Sequence, residues 1–190
     1  MFESVKAKGS FLDNKRVIVT AAPHQSGKDE YLMILMILAL DIDVCYLSAK
    51  WTMRRIPIPF IKPKDIDNQG IPWPLGWLQE IVFRKFGAIP VDRKGNSGQY
   101  DSVVQELLKR DNFLLIITPE GRFDATRFRS SFLYLAKELE ASVMPVQIDY
   151  EHDTLQFLDG LNLDGSEEQV IQRLRFCFDG VKGRKSRFRA

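Results

Sequence analysis

Phe113-Leu114-Leu115-Ile116-Ile117-Thr118-Pro119-Glu120-Gly121-Arg122 opens on five consecutive large apolar residues and breaks at a proline, a carboxylate, a glycine and an arginine. A short apolar run bounded by turn residues is the pattern of a strand buried on both faces. Such strands belong to largely parallel sheets covered by helices, and the flanking sequence agrees. Upstream, Tyr100, Val103, Val104, Leu107 and Leu108 recur at helical spacing, with Asn96 or Ser97 as the cap. Downstream, Phe128, Phe132, Leu135 and Leu139 predict a helix and residues 143–148 another strand.

Farther out the alternation continues. Residues 15–20 form a β-rich run that ends in Ala21-Ala22-Pro23, residues 31–40 read as a buried helix and residues 44–48 as the next strand. Leu75, Leu78, Ile81, Val82 and Phe86 have the spacing of an amphipathic helix, followed by a short strand at 87–91. Ser166 with Gln169 forms a capping box for a last helix carrying Val170, Ile171, Leu174, Cys177 and Phe178 and closed by Gly180. The expected fold is α/β, a single domain with a mixed, largely parallel central sheet flanked by helices. Residues 55–77 interrupt it: five of the nine prolines fall there, which predicts an irregular excursion. Trp51, Trp73 and Trp77 lie in or beside it with Lys50, Arg54, Arg55, Phe60 and Lys62, a mixture that suits packing onto the domain or a lipid headgroup boundary. Ile56, Ile58, Phe60 and Ile61 in the same stretch would line an acyl-chain groove or close a core.

The 190 residues supply one sizeable core and too little chain for two ordinary domains, and 45% hydrophobic residues exclude a disordered tail or a fibre. Net charge is +2, but five of the 27 basic residues lie between Val181 and Ala190. The other 22 against 25 acidic residues leave the body at −3, which favours neither nucleic acid nor an acidic scaffold. The expected division is a domain over 1–180 and a basic tail over 181–190, either a solvated terminus or a contact for an anionic membrane. Cys45 and Cys177 sit in apolar runs and read as buried, reduced thiols, which with the opening sequence predicts a cytoplasmic address. The longest apolar run, ten residues from Tyr31, is half of what a membrane-spanning helix needs, about twenty.

Ala22-Pro23-His24-Gln25-Ser26-Gly27-Lys28-Asp29 follows a strand and opens a helix, as a phosphate-cradling loop does. It fails as one: Ala22 replaces the first glycine, and Asp29 stands where a magnesium-binding hydroxyl belongs. His24 and Asp29 make a better pair. Five positions apart, they lie on different faces of a regular helix, so they meet only with His24 in the preceding loop and Asp29 in the first turn. An ionised Asp29 at a helix start would then hold one imidazole nitrogen while the other accepts a proton. The bland alternative is a turn histidine beside a helix-starting aspartate. His152, between Glu151 and Asp153, reads as a surface turn residue without a role.

Four ordered blocks bring the chain close to a known group. His24 to Asp29 resembles the His-x4-Asp pair of the 1-acylglycerol-3-phosphate acyltransferase (lysophosphatidic acid acyltransferase) family. Gly87-Ala88-Ile89-Pro90-Val91-Asp92-Arg93 is similar to its glycine-to-arginine block, Thr118-Pro119-Glu120-Gly121-Arg122 to its Phe-Pro-Glu-Gly-Thr-Arg block, and Val143-Met144-Pro145-Val146 to its proline-containing strand. The threonine of the third block is missing here, so Arg122 arrives one residue early, and Arg127 or Arg129 is available to take over its role. The resemblance implies a glycerol-3-phosphate acyltransferase-like domain that moves a fatty acyl group from acyl-CoA or acyl carrier protein to a hydroxyl of a lysophospholipid or glycerol-phosphate-like acceptor. It implies His24 and Asp29 as catalytic residues, Arg93 and Arg122 as acceptor phosphate ligands, and Gly87, Glu120 and Gly121 as substrate-binding residues. No metal or resident cofactor is implied; the thioester is a co-substrate. The chain would be cytoplasmic and peripheral at the inner face of a membrane, touching it through residues 51–77 and the basic tail. A phosphate-free acceptor, or a non-catalytic lipid or phosphate binding module of the same fold, are the alternatives.

Overall fold

The computed structural model describes residues 4–7, 16–24, 44–50, 52–56, 71–72, 74–91, 98–121 and 127–183. Among them seven strands form one sheet: β1 (Ser4–Ala7), β2 (Arg16–Ala22), β3 (Val44–Ala49), β6 (Ala88–Val91), β7 (Phe113–Ile117), β8 (Ser142–Asp149) and β9 (Thr154–Phe157). Their order is β1-β9-β8-β2-β7-β3-β6. The five strands from β8 to β6 are mutually parallel, and only β9 runs against its neighbour β8. The sheet is therefore mixed and largely parallel, as expected. Two-residue strands β4 (Arg55–Ile56) and β5 (Ile71–Pro72) pair antiparallel in the proline-rich excursion.

β7 shows why its sequence forms this structure. Phe113, Leu115 and Ile117 enter the core on one face of the sheet and Leu114 and Ile116 the core on the other, so every position of the strand is buried. Each such side chain contributes about 1.5–3 kcal/mol on leaving water. The first core is closed by three helices: α2 (Gly98–Leu108) through Val103, Val104 and Leu107, α3 (Ser131–Glu138) through Phe132, Leu133, Leu135 and Ala136, and α4 (Glu167–Cys177) through Val170 and Leu174. The α4 start is the predicted capping box: Ser166 Oγ accepts the Gln169 amide at 3.3 Å, and the Ser166 amide donates to Gln169 Oε1 at 3.0 Å.

Some expectations are corrected. The helix at 75–86 forms as α1 (Gly76–Lys85), but Leu75, Leu78, Ile81, Val82 and Phe86 face solvent. Their spacing marks one face correctly; the core lies under the opposite one, because Gly76, Gln79 and Glu80 are held by the turn at Thr52–Arg54 and by β4. Leu108 ends the α2 stripe exposed, Phe128 precedes α3 instead of lying in it, and Cys177 is half-buried. Cys45 is buried, its Sγ donating to the Leu114 carbonyl at 3.6 Å, and both cysteines are reduced. β1 and β9 were not among the expected strands. His152 is an exposed turn residue, its Nδ1 sharing a hydrogen bond of 2.8 Å with Asp149 Oδ2. The predicted helix at 31–40, the caps Asn96 and Ser97, and most of the basic tail lie outside the described residues. No helix among the described residues is long and apolar enough to cross a membrane.

Candidate active site

β2 and β7 are adjacent and parallel, with Thr20 opposite Ile117, so the loops after them emerge side by side. In open α/β sheets, ligands bind at the carboxyl ends of such strands. The β2 loop delivers His24 and the β7 loop delivers Glu120, and the two meet: the His24 backbone amide donates to Glu120 Oε2 at 2.8 Å. His24 is 7% exposed and Glu120 9%, so this charge-assisted bond is shielded from water. Glu120 thus has a positioning role towards His24, besides the substrate contact the sequence suggested. Residues 96 apart in the chain fix the backbone of the candidate base.

The turn that carries Glu120 is equally constrained. Gly121 donates its amide to the Thr118 carbonyl at 3.0 Å and has φ +67°, a conformation that favours glycine. The Arg129 amide donates to the Pro119 carbonyl at 2.8 Å, and the Arg129 side chain lies over Gly121, where an added Cβ would come within 3.1 Å of Nε. Both substitutes for Arg122 suggested by the sequence, Arg127 and Arg129, are exposed, and Arg129 is the one whose backbone and side chain contact the third block. The signal for it was only the surplus of arginines after Gly121.

On the other side of β2, β8 places Pro145 opposite Thr20, so the fourth block neighbours the first. The second block lies farther off, on the edge strand β6, where Pro90 removes no central ladder bond. Gly87 has a packing role: at φ +83° its missing Cβ would stand 2.0 Å from the Val44 carbonyl oxygen, and its own carbonyl accepts the Tyr46 amide at 3.1 Å. Only glycine lets the chain pass from α1 into β6 this close to β3. Asp29, Arg93 and Arg122 lie outside the described residues. Among the described residues no group of His, Cys, Asp and Glu is arranged to hold a metal ion.

Beside Arg129 a surface groove of about 930 Å³ runs between α2, α3 and α4, lined by Tyr100, Phe128, Tyr134, Lys137 and Glu167. Burial, then a hydrogen bond to Glu138, pushes the Tyr100 phenol up to about 12, so it stays a neutral donor. The Tyr134 hydroxyl donates to Glu167 Oε2 at 2.8 Å. His24 and Glu120 are not among its lining residues; the groove adjoins the site through Arg129.

The arrangement is a histidine on a pinned backbone at the carboxyl end of a parallel sheet, with a guanidinium on the next loop. A search of curated proteins finds no match to the chain. Residues 74–149 match the family model described as Acyltransferase; this stretch takes in Gly87, Glu120, Gly121, Arg129 and Pro145 and leaves His24 before its start. The matched stretch, which contains three of the four blocks, supports an acyltransferase-family domain.

Proposed function

We propose that the domain transfers a fatty acyl group from a thioester, acyl-CoA or acyl carrier protein, to a hydroxyl of a lysophospholipid or glycerol-phosphate-like acceptor. His24 is the general base: it takes the hydroxyl proton as the oxygen attacks the thioester carbonyl, an O–C bond forms, and the C–S bond breaks to release thiolate. Asp29 orients the imidazole and stabilises its protonated form, and the proton passes on to the thiol. Arg93 and Arg122 hold the acceptor phosphate through planar paired donors, and Arg129, which lies over Gly121, is available to share that role. The observation that carries this reading is the buried bond from the His24 amide to Glu120, which ties the first block to the third.

The test is thiol release from an acyl thioester with acceptor present. His24→Ala should lower turnover by about 10³-fold while the melting curve is kept, within the range of a lost general base. Unchanged turnover in folded His24→Ala would overturn the mechanism and favour a binding module. A second reading, acyl transfer to an amine or to a phosphate-free hydroxyl, draws on Glu138 and Glu167, which share the groove with Arg129. Titrating both acceptor classes against one thioester separates the two.

A further inference from the structure

α1 is an amphipathic helix mounted with its apolar side outward. Trp77 is 56% exposed, Ile81 52% and Phe86 53%, and Leu75, Leu78 and Val82 lie open beside them. At about 100° per residue, Trp77, Leu78, Ile81 and Val82 form one continuous stripe. The inward side carries Gly76, Gln79 and Glu80 with the half-buried Phe83. Gly76 is buried so close to the Thr52–Arg54 turn that a Cβ would stand 2.7 Å from the Arg54 carbonyl oxygen. Gln79 Nε2 donates to the Arg55 carbonyl at 3.2 Å, and Glu80 accepts from Arg54 and, at 2.9 Å, from Arg84. These contacts fix the rotation of α1, so the outward stripe is a set feature of the fold. Monomeric soluble proteins seldom expose a contiguous apolar patch of this kind without a use for it.

Charge indicates the use. Glu80 is the only acid in α1, and it is matched by two arginines, Arg54 and Arg84, which leaves Lys85 as an exposed cation at the stripe and the local charge positive. An outward face of Trp, Leu, Ile, Val and Phe with a positive local charge complements an anionic lipid surface, where apolar residues enter the headgroup boundary and cations meet phosphates. We infer that α1 lies in the plane of an anionic membrane surface and seats Trp77, Leu78, Ile81 and Val82 in it. This rests on the lipid-substrate reading above and adds a binding element to it. It also places the membrane contact on the helix that begins at the end of the 51–77 stretch, without need of the basic tail.

The test uses the full chain with Trp51→Phe and Trp73→Phe, so that Trp77 is the single reporter. With phosphatidylglycerol vesicles carrying brominated acyl chains, Trp77 emission should shift to the blue and be quenched; phosphatidylcholine vesicles should give little change. Ile81→Glu with Leu78→Glu should weaken co-sedimentation at least tenfold, and Arg84→Gln with Lys85→Gln should weaken it and flatten its salt dependence. Turnover of a short-chain thioester with a soluble acceptor should be unchanged in both double variants. Loss of that soluble turnover in the parent chain would instead count against the acyl-transfer reading, leaving the vesicle result to stand by itself. Vesicle binding with Trp77 unquenched would overturn the inference. So would Trp77 shielded from acrylamide without vesicles, or a dimer that Ile81→Glu splits, since either shows that protein covers the face. A melting curve for each variant guards against misfolding.

Discussion

β7 and α1 carry equally regular apolar patterns and meet opposite fates. In β7 all five residues are buried, whereas in α1 the larger apolar stripe is in water and the packed side carries Gly76, Gln79 and Glu80 with one aromatic, Phe83. Periodicity tells which residues share a face, not what lies against it. β7 has no choice of face, since both are apolar. α1 has one, and a glycine contact, an amide and an ion-paired glutamate decide it against the hydrophobic pattern.

The strongest way to break the comparison is at the sheet end. Glu120→Leu leaves the buried His24 amide without this acceptor, and should cost about 1–3 kcal/mol in denaturant unfolding. If the pinned backbone aims the base, turnover should fall by about 10²-fold, as small misplacements in active sites do. Glu120→Gln keeps an acceptor oxygen and should recover most of it; equal losses in both variants would assign Glu120 to substrate instead. Next comes the joint between the regions. Gly87→Ala places a methyl group against the Val44 carbonyl in a left-handed backbone and should lower stability by about 1–3 kcal/mol, read as a lower melting temperature.

The smallest effect concerns the inward side of α1. Hydrogen bonds from Arg54, then Arg84, hold the Glu80 carboxyl below its ordinary range. A depressed folded-state pKa stabilises above the unfolded value, about 4.5, and that stability is lost as pH falls through the folded one. Because both arginines are largely exposed, Glu80→Gln should cost only about 0.2–1 kcal/mol at pH 7. The gap between the two unfolding curves should close below pH 4.5, and a gap that persists there would show that packing, not charge, sets the rotation of α1.

Sequence was sufficient where a residue had one physical option. The β7 run, the alternation around it and the capping box at Ser166 are local and strong, and each appears where expected. The meeting of His24 with the third block was legible only through the order of the blocks, because neither loop signals its neighbour by pattern. Arg129 needed the fold of the turn after Thr118, and the packing role of Gly87 needed β3 beside it. The orientation of α1 was illegible for a different reason: its determinants belong to the Thr52–Arg54 turn, which has no periodicity at all.

The strand order has a consequence for how the chain is made. β2, the central strand of the seven, pairs Arg16 with Phe113 and Val17 with Ser142, so both of its partners are synthesised about a hundred residues later. A ribosome therefore releases Val17-Ile18-Val19 long before either ladder exists. Long-range parallel pairing of this sort folds slowly and leaves apolar strand edges open meanwhile. The loop that carries His24 follows β2 and takes its bond from Glu120 after β7, so the candidate active site needs chain made about a hundred residues later to be complete.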